Sequence, residues 1–269
     1  MDTRRTWGDS AGDLGESGAG SAIPSAGVAA TRGLLVGRVA VVTGASRGIG
    51  AGVARRLGRE GAVVYGAART LSDLEAELAG MPNARSVGVD VTDSEAVAAL
   101  FREAVDRHGR VDYLINAAGV LHRAPLAETT DGEWAESLAV NLTGVFFCSR
   151  EAVRRMRAQA PDAGGVRGHV VQIVSGAGVR GWVGSGAYSA AKFGVMGLSE
   201  VLRQEVRGLG IKVTEVLPGM VATAMTERSE FERRNKLAVD DVADAVLTVL
   251  TASPAALIQR LDLRHLQPE

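Results

Sequence analysis

The stretch Val39-Ala40-Val41-Val42-Thr43-Gly44-Ala45-Ser46-Arg47-Gly48-Ile49-Gly50 decides the fold. Its four leading apolar residues are typical of a strand buried on both faces, and the glycines that follow allow a tight turn. Residues 49–59 then have helical periodicity. This order predicts a phosphate-binding loop, because the free N–H groups and the dipole of a helix N-terminus attract an anion. An ordinary strand–helix turn is the alternative.

The same alternation of strand and helix continues along the chain. Further strands are predicted at residues 62–65, 86–89, 111–115, 169–174, 211–217 and 257–261, and helices at 71–78, 94–107, 131–158, 185–207 and 240–250. Such alternation calls for a parallel sheet with right-handed crossovers. We therefore predict an α/β fold, a doubly wound, Rossmann-like parallel sheet of about seven strands, in one domain of residues 34–269. Residues 1–33, rich in Gly, Ser and Ala, are predicted to be a flexible N-terminal extension.

Composition narrows the functional classes. The 269 residues carry 30 basic and 31 acidic side chains, a balance that does not indicate a nucleic-acid or membrane surface. The only cysteine, Cys148, lies in an apolar run and is predicted to be a buried hydrophobe. One thiol cannot form an internal disulfide, so a reducing compartment, the cytoplasm, is expected. The four histidines lack ligand spacing, and no metal site is predicted.

The end of the second strand bears on the choice of dinucleotide. In the common NAD pattern an acidic residue there binds the ribose diol. Here the strand ends Tyr65-Gly66-Ala67-Ala68-Arg69, without a carboxylate. Arg47 and Arg69 can both reach a 2′-phosphate, which suits the forked donors of arginine. Although either arginine alone is commonly a solvated surface charge, the pair favours NADP. Asp90 and Val91 are placed to hold the adenine ring.

Three polar residues point to proton transfer. Tyr188 and Lys192 lie four apart in a helical stretch and so share one face. A free tyrosine has a pKa near 10, and a neighbouring ammonium is expected to lower it. Ser175 ends the fifth strand, and its hydroxyl can donate to a carbonyl oxygen as negative charge develops there. Tyr188 is the predicted general acid/base.

Together these motifs resemble the short-chain dehydrogenase/reductase family over about residues 37–261. The segment 43–50 matches the family's loop Thr-Gly-x-x-x-Gly-x-Gly, and Asn116-Ala117-Ala118-Gly119 matches the motif that steadies the sheet and lines the cofactor cleft. Asn141 matches the active-site asparagine that holds a water in the proton relay. Ser175, Tyr188 and Lys192 match the rest of the catalytic tetrad. Pro218-Gly219, with Thr223, matches the segment that touches nicotinamide and pyrophosphate.

The resemblance implies hydride transfer between NADP(H) and a carbonyl or secondary alcohol, most simply in a ketoreductase. Lys192 would bind the nicotinamide ribose. The residues predicted to contact the cofactor are Gly44, Ser46, Arg47, Gly48, Ile49, Gly50, Arg69, Asp90, Val91, Asn116, Ala117, Gly119, Tyr188, Lys192, Pro218, Gly219, Val221 and Thr223. The partner is then a small molecule. The family also implies a homo-oligomer, a tetramer or dimer, built through the two long helices.

Two other functions use the same fold. One is a catalytically silent NADP-binding sensor or scaffold protein, although such proteins usually lack the tyrosine or the lysine. The other is an epimerase or dehydratase that oxidises its substrate only transiently. Residues 224–236 are predicted to form a lid over the substrate. The arginines in that segment fit either an anionic substrate or a solvated helix face.

Overall fold

One seven-stranded sheet runs through the computed structural model, which describes residues 33–227 and 235–267. Its strands are β1 (Val39–Thr43), β2 (Val63–Ala68), β3 (Ala84–Gly88), β4 (Tyr113–Asn116), β5 (Gly168–Ile173), β6 (Ile211–Pro218) and β7 (Arg260–Leu263). All neighbouring strands pair in parallel, in the order β3-β2-β1-β4-β5-β6-β7. The predicted fold class is therefore confirmed. The extension predicted for residues 1–33 lies outside the described residues except for Gly33.

Helices cover both faces of the sheet. The helices of one face are α1 (Gly48–Arg59), α2 (Leu71–Leu78) and α7 (Val239–Thr251), and those of the other are α3 (Ser94–His108), α5 (Gly144–Ala158) and α6 (Gly186–Val206). Each face has its own apolar core, because strands buried on both sides present side chains to both layers. Cys148 belongs to one of these cores. Burial raises the pKa of its thiol to about 12, as expected of a packing residue.

The helix predicted at residues 131–158 is not continuous. It consists of α4 (Asp131–Leu138), a π-helical turn (Ala139–Thr143) and α5. A π turn inserts one residue into the helix and is common at functional sites. The insertion lies at Asn141, the predicted active-site asparagine. Because the apolar pattern of the helices on either side remains regular, periodicity alone did not reveal it.

The last strand lies later than predicted, at Arg260–Leu263 instead of 257–261. β7 is an edge strand whose residues alternate between exposed and half-buried. Such a strand lacks the continuous apolar run that identifies a central strand. The sequence prediction followed the apolar residues that precede β7 and therefore placed this strand too early in the chain.

The order in which the chain adds strands to the sheet reverses at β1 and β4, which are neighbours in the sheet but not consecutive in the chain. β2 and β3 lie on one side of β1, whereas β4 to β7 lie on the other. The Thr43 hydroxyl accepts hydrogen bonds from the backbone N–H groups of Ala117, at 3.1 Å, and Ala118, at 3.2 Å, and so joins the carboxyl ends of the two strands. Ligands of doubly wound folds bind at this reversal. Of the helices in the described ranges, none is long and apolar enough to cross a membrane.

Candidate active site

The phosphate loop requires glycine at two positions for steric reasons. A Cβ on Gly50 would lie 2.2 Å from the carbonyl oxygen of Gly44. Gly44 has φ of +67°, and its own Cβ would lie 2.7 Å from Cα of Ala118. Both contacts are with backbone atoms, which cannot rotate away. The loop is therefore packed tightly between the start of α1 and the end of β4.

The N-terminus of α1 has the donors that a phosphate needs. Arg47 precedes the helix without a side-chain cap, and the first turn has no acidic residue. By contrast, Asp93 caps α3 and Thr130 caps α4. The first N–H groups of α1 have no acceptor within their own helix and can bind an anion. The donor set thus fits the pyrophosphate of a dinucleotide.

Replacing Gly50 by alanine should disrupt this loop. The added Cβ must displace α1 from the Gly44 carbonyl, and we expect the free energy of unfolding to fall by about 2–3 kcal/mol. Urea denaturation measures this change. Gly208→Ala is the matched control, because a Cβ there meets nothing within 4 Å. Equal stability of the two variants would contradict the packing described for the loop.

A cleft of about 230 Å³ lies in front of the phosphate loop. Twelve residues predicted to bind cofactor line it: Gly44, Ser46, Arg47, Gly48, Ile49, Gly50, Arg69, Asp90, Val91, Ala117, Gly119 and Thr223. The lining residues that were not predicted are Ala67, Ala68, Thr70, Asp73, Val89, Val120 and Val140. Three others lie in predicted segments: Ala118 in the motif after β4, and Ala224 and Met225 in the lid. Most of the residues that were not predicted are direct neighbours of predicted ones.

Asn116 was expected to line this cleft and does not. It is buried behind the cleft, where its amide donates to Ser149 Oγ (3.1 Å) and Gln172 Oε1 (2.9 Å). Gln172 in turn donates to the same hydroxyl. A buried amide must find such partners because leaving it unpaired costs free energy. Asn116 therefore joins β4, β5 and α5 and acts on the cleft only through the residues that follow it.

The remaining predicted contacts lie outside the cleft as the described residues form it. Pro218 ends β6, and the N–H of Gly219 donates to Leu263 O at 2.8 Å. Val221 is buried and pairs with Leu237. Thr223 does reach the phosphate loop, since a Cβ on Gly48 would lie 3.3 Å from its methyl carbon. The segment after β6 thus approaches the cleft at Thr223.

Ser175, Tyr188 and Lys192 come together beyond the end of β5. The Ser175 hydroxyl lies close enough to the Tyr188 hydroxyl to lower the pKa of the phenol. The Lys192 ammonium lies 5.6 Å from the centre of the Tyr188 ring and donates to Ile173 O at 3.0 Å. Tyr188 and Lys192 are one turn apart on α6, as their spacing predicted. The three side chains therefore form one cluster of proton donors and acceptors.

Burial controls the pKa values of this cluster. It raises the pKa of Tyr188, which the hydrogen bond with Ser175 lowers in part. Burial also lowers the pKa of Lys192 to about 8. Lys192 was expected to lower the pKa of Tyr188, but in the free protein Ser175 is the group that does so. The ammonium is bound to the Ile173 carbonyl and lies beside the ring, away from the position of a direct hydrogen bond.

The backbone of Ser175 is unusual. Its φ of +149° falls in a region that residues other than glycine rarely adopt, at a cost of about 1–3 kcal/mol. The Ser175 oxygen accepts the N–H of Ala177 at 3.1 Å, which fixes the side chain. Its own proton is then free to serve Tyr188 or a substrate oxygen. Strain at this residue thus orients the hydroxyl toward the tyrosine.

Asn141 holds the loop that follows β4. Its amide donates to Val120 O (2.9 Å) and Ser137 O (3.0 Å), and its oxygen accepts from Val120 N (3.2 Å). A Cβ on Gly119 would lie 2.9 Å from that oxygen, which explains the glycine. The side chain of Asn141 is therefore a clamp on the loop. A role in proton relay stays a prediction.

The predicted lid is described only at its ends. Residues 228–234, including Arg228, Phe231, Arg233 and Arg234, lie outside the described residues. At the described end, Met225 lines the cleft, and Lys236 donates to Thr226 O at 2.6 Å. The described residues contain no group of three or more potential metal ligands.

A parallel sheet with a phosphate loop at its reversal point and a Ser–Tyr–Lys cluster beside it defines a dinucleotide-dependent oxidoreductase. The family model of the short chain dehydrogenases matches residues 38–234. The chain belongs to the short-chain dehydrogenase/reductase family, whose members use a nicotinamide cofactor and act on CH–OH groups.

Three known proteins illustrate this kinship. Farnesol dehydrogenase of Aedes aegypti is 36% identical over 239 residues, covering 85% of this chain and 96% of its own. A putative ketoacyl reductase of monensin polyketide synthase from Streptomyces virginiae is 37% identical, covering 80% and 82%. The crystal structure of a metagenomic short-chain oxidoreductase in complex with NADP has a TM-score of 0.74 and 36% identity, covering 87% and 100%.

Proposed function

We propose that the protein is an NADPH-dependent reductase of ketones, with Tyr188 as the general acid. The observation that carries the proposal is the placement of the Ser175 and Tyr188 hydroxyls together beside the buried ammonium of Lys192. A carbonyl oxygen that approaches the two hydroxyls would meet two proton donors at once. This arrangement stabilises negative charge on that oxygen.

Each residue then has a defined task. When bound, the reduced nicotinamide supplies the hydride. Ser175 donates a hydrogen bond to the substrate oxygen, and Tyr188 transfers its proton to that oxygen as the alcohol forms. At pH 7 Lys192 is still mostly protonated, because its pKa is about 8, and its charge favours the phenolate left on Tyr188. Run backwards, the same residues oxidise a secondary alcohol.

The proposal of NADP over NAD rests on the adenosine end of the cleft. Arg47 and Arg69 both line the cleft, and β2 ends at Ala68, without a carboxylate. Asp90 is engaged elsewhere, since its Oδ1 accepts hydrogen bonds from Thr92 N (2.9 Å) and Thr92 Oγ1 (2.8 Å). The NADP bound to the metagenomic relative is in keeping with this choice.

The test is to titrate the purified protein with NADPH and NADH and then follow absorbance at about 340 nm with candidate substrates. The relatives suggest β-ketoacyl thioesters and the oxidised forms of terpenoid alcohols as the first compounds. We expect tighter binding of NADPH, about tenfold or more, and turnover of at least one ketone. Preference for NADH would contradict the cofactor proposal but leave the catalytic one standing. Binding without turnover of any carbonyl would favour the sensor or scaffold alternative.

We further propose that the protein is a cytoplasmic homo-oligomer, a dimer or tetramer packed through α5 and α6. Exposed apolar side chains on these helices support this assembly. Phe146 on α5 is 40% exposed, and Phe193 and Val201 on α6 are 48% and 55% exposed. Large apolar side chains grouped on a surface are typical of contacts between subunits.

A further inference from the structure

A carboxylate stands at the outer end of the cleft, where neither the phosphate loop nor the catalytic cluster uses it. Glu136 lies on α4, one helical turn before Val140, which lines the cleft. Its carboxylate lies 3.9 Å from the guanidinium of Arg69, which lines the cleft, and Glu136 is therefore beside the adenosine end of the cleft.

The carboxylate of Glu136 has two neighbouring side chains, a histidine and an arginine. One carboxylate oxygen lies 2.9 Å from His122 Nε2, and the other lies 3.9 Å from a guanidinium nitrogen of Arg69. His122 comes from the loop after β4, and Arg69 follows β2 on the opposite side of the cleft. The Arg69 side chain thus crosses the adenosine end of the cleft toward α4.

Arg69 also interacts with Asp90. The pKa of Asp90 is lowered chiefly by the backbone N–H of Thr92, and the charge of Arg69 adds to that lowering. Asp73 lines the same part of the cleft. In the free protein Arg69 thus interacts with the carboxylates of Glu136 and Asp90. A phosphate that binds Arg69 must compete with them.

Of the two members of the ion pair, Arg69 is the one free to move. Its side chain is 58% exposed and its contact with Glu136, at 3.9 Å, is too long for a hydrogen bond. Glu136 is fixed by its helix and by the shorter contact with His122. When Arg69 turns to a 2′-phosphate, Glu136 keeps His122 and loses the guanidinium.

We propose that Glu136 is a cofactor-specificity residue that weakens binding of a 2′-phosphorylated adenosine by competing for Arg69. The inference rests on the proposed preference for NADP. An adenosine without the 2′-phosphate leaves the ion pair intact and does not meet this competition. Glu136 therefore reduces the selectivity that Arg47 and Arg69 would otherwise produce.

The test uses adenosine fragments, so that it does not depend on turnover. Calorimetry measures the dissociation constants of 2′,5′-ADP and 5′-AMP for the wild type, Glu136→Gln and Glu205→Gln, the last being an exposed control on α6. An exposed ion pair of this kind alters binding by about two- to fivefold. We expect Glu136→Gln to bind 2′,5′-ADP tighter by that factor, with 5′-AMP and the control variant unchanged.

A double-mutant cycle with Arg69→Ala identifies the route of the effect. If Glu136 acts through Arg69, Glu136→Gln has no effect on 2′,5′-ADP binding in the Arg69→Ala background. An undiminished gain in that background would overturn the proposal, because it would mean that Glu136 repels the phosphate directly. No gain from Glu136→Gln, in a wild type that prefers 2′,5′-ADP, would overturn the inference alone. No preference in either protein would overturn the NADP proposal with it.

Discussion

Replacing Tyr188 by phenylalanine should lower kcat for ketone reduction by about 1,000-fold, within the range observed when a general acid is removed. Of the two hydroxyls that can meet the substrate oxygen, the phenol of Tyr188 is the more acidic, and the Lys192 ammonium donates instead to Ile173 O. The aromatic ring and its contact with the Lys192 ammonium are preserved in the variant. We therefore expect the dissociation constant for NADPH to change by less than about twofold.

The control for this variant is Tyr113→Phe. Tyr113 begins the central strand β4, at the end of the strand opposite to the catalytic cluster, and burial raises the pKa of its hydroxyl to about 12. Removing that hydroxyl should leave kcat unchanged. Single-turnover measurements with NADPH distinguish loss of chemistry from slow product release. If Tyr188→Phe keeps more than about a tenth of the wild-type rate, another group is the acid and the proposed mechanism is wrong.

Replacing Lys192 by methionine should affect turnover and stability in opposite directions. The variant loses the charge that favours the phenolate of Tyr188, and we expect kcat to fall by at least about 100-fold. It also removes a cation that is 4% exposed in the folded protein. Since burial of that cation is costly, the free energy of unfolding at pH 7 should rise by about 2 kcal/mol.

The increase in the free energy of unfolding that Lys192→Met produces depends on pH, and the pKa values determine the direction of that dependence. The pKa of Lys192 is about 8 in the folded protein, whereas a lysine in an unfolded chain has a pKa of about 10.4. Between these values the unfolded chain holds the proton and the folded protein has released it. The free energy of unfolding of the wild type therefore increases, because of Lys192, as pH rises from about 8 to about 10.4. The advantage of the methionine variant should be full below pH 8 and shrink toward pH 10.

Urea denaturation at pH 7 and pH 10 measures both effects. Lys212→Met is the matched control, because Lys212 also donates to backbone carbonyls, those of Ser253 (2.8 Å) and Ala256 (2.6 Å). Lys212 lies at the start of β6, at the other end of the strands from the catalytic cluster. The Lys212→Met variant should lose stability and keep its activity. A Lys192→Met protein less stable than the wild type at pH 7 would show that the bond to Ile173 outweighs the cost of burial.

The order of strands and helices could be read from the sequence because each central strand is a continuous apolar run. Val39–Thr43 and Gly168–Ile173 are buried at every position and are unmistakable by this criterion. Edge strands are different. β3 and β7 contain exposed residues at alternate or irregular positions, so no continuous apolar run marks them in the sequence. These two strands are not buried on both faces, and burial on both faces is what produces a continuous apolar run.

The candidate site likewise has features that the sequence predicts and features that it does not. The spacing of Tyr188 and Lys192 predicts that they share a face, because both belong to one helix. Contacts between distant segments could not be inferred: Lys192 with Ile173, Asn141 with Val120, and Glu136 with Arg69. Asn116 matched a motif, but its side chain turned to Ser149 and Gln172. A motif identifies the residue, whereas packing of the whole domain determines the direction of its side chain.

The backbone of Ser175 has an evolutionary consequence. A φ of +149° favours glycine, so the substitution that removes the proposed catalytic hydroxyl also relieves the strain in the chain. Mutational drift and selection for thermal stability therefore act in the same direction at this position, toward an inactive copy that retains its cofactor cleft. Only selection for turnover keeps serine there. The step from this enzyme to a nucleotide-binding pseudoenzyme is consequently short and energetically downhill.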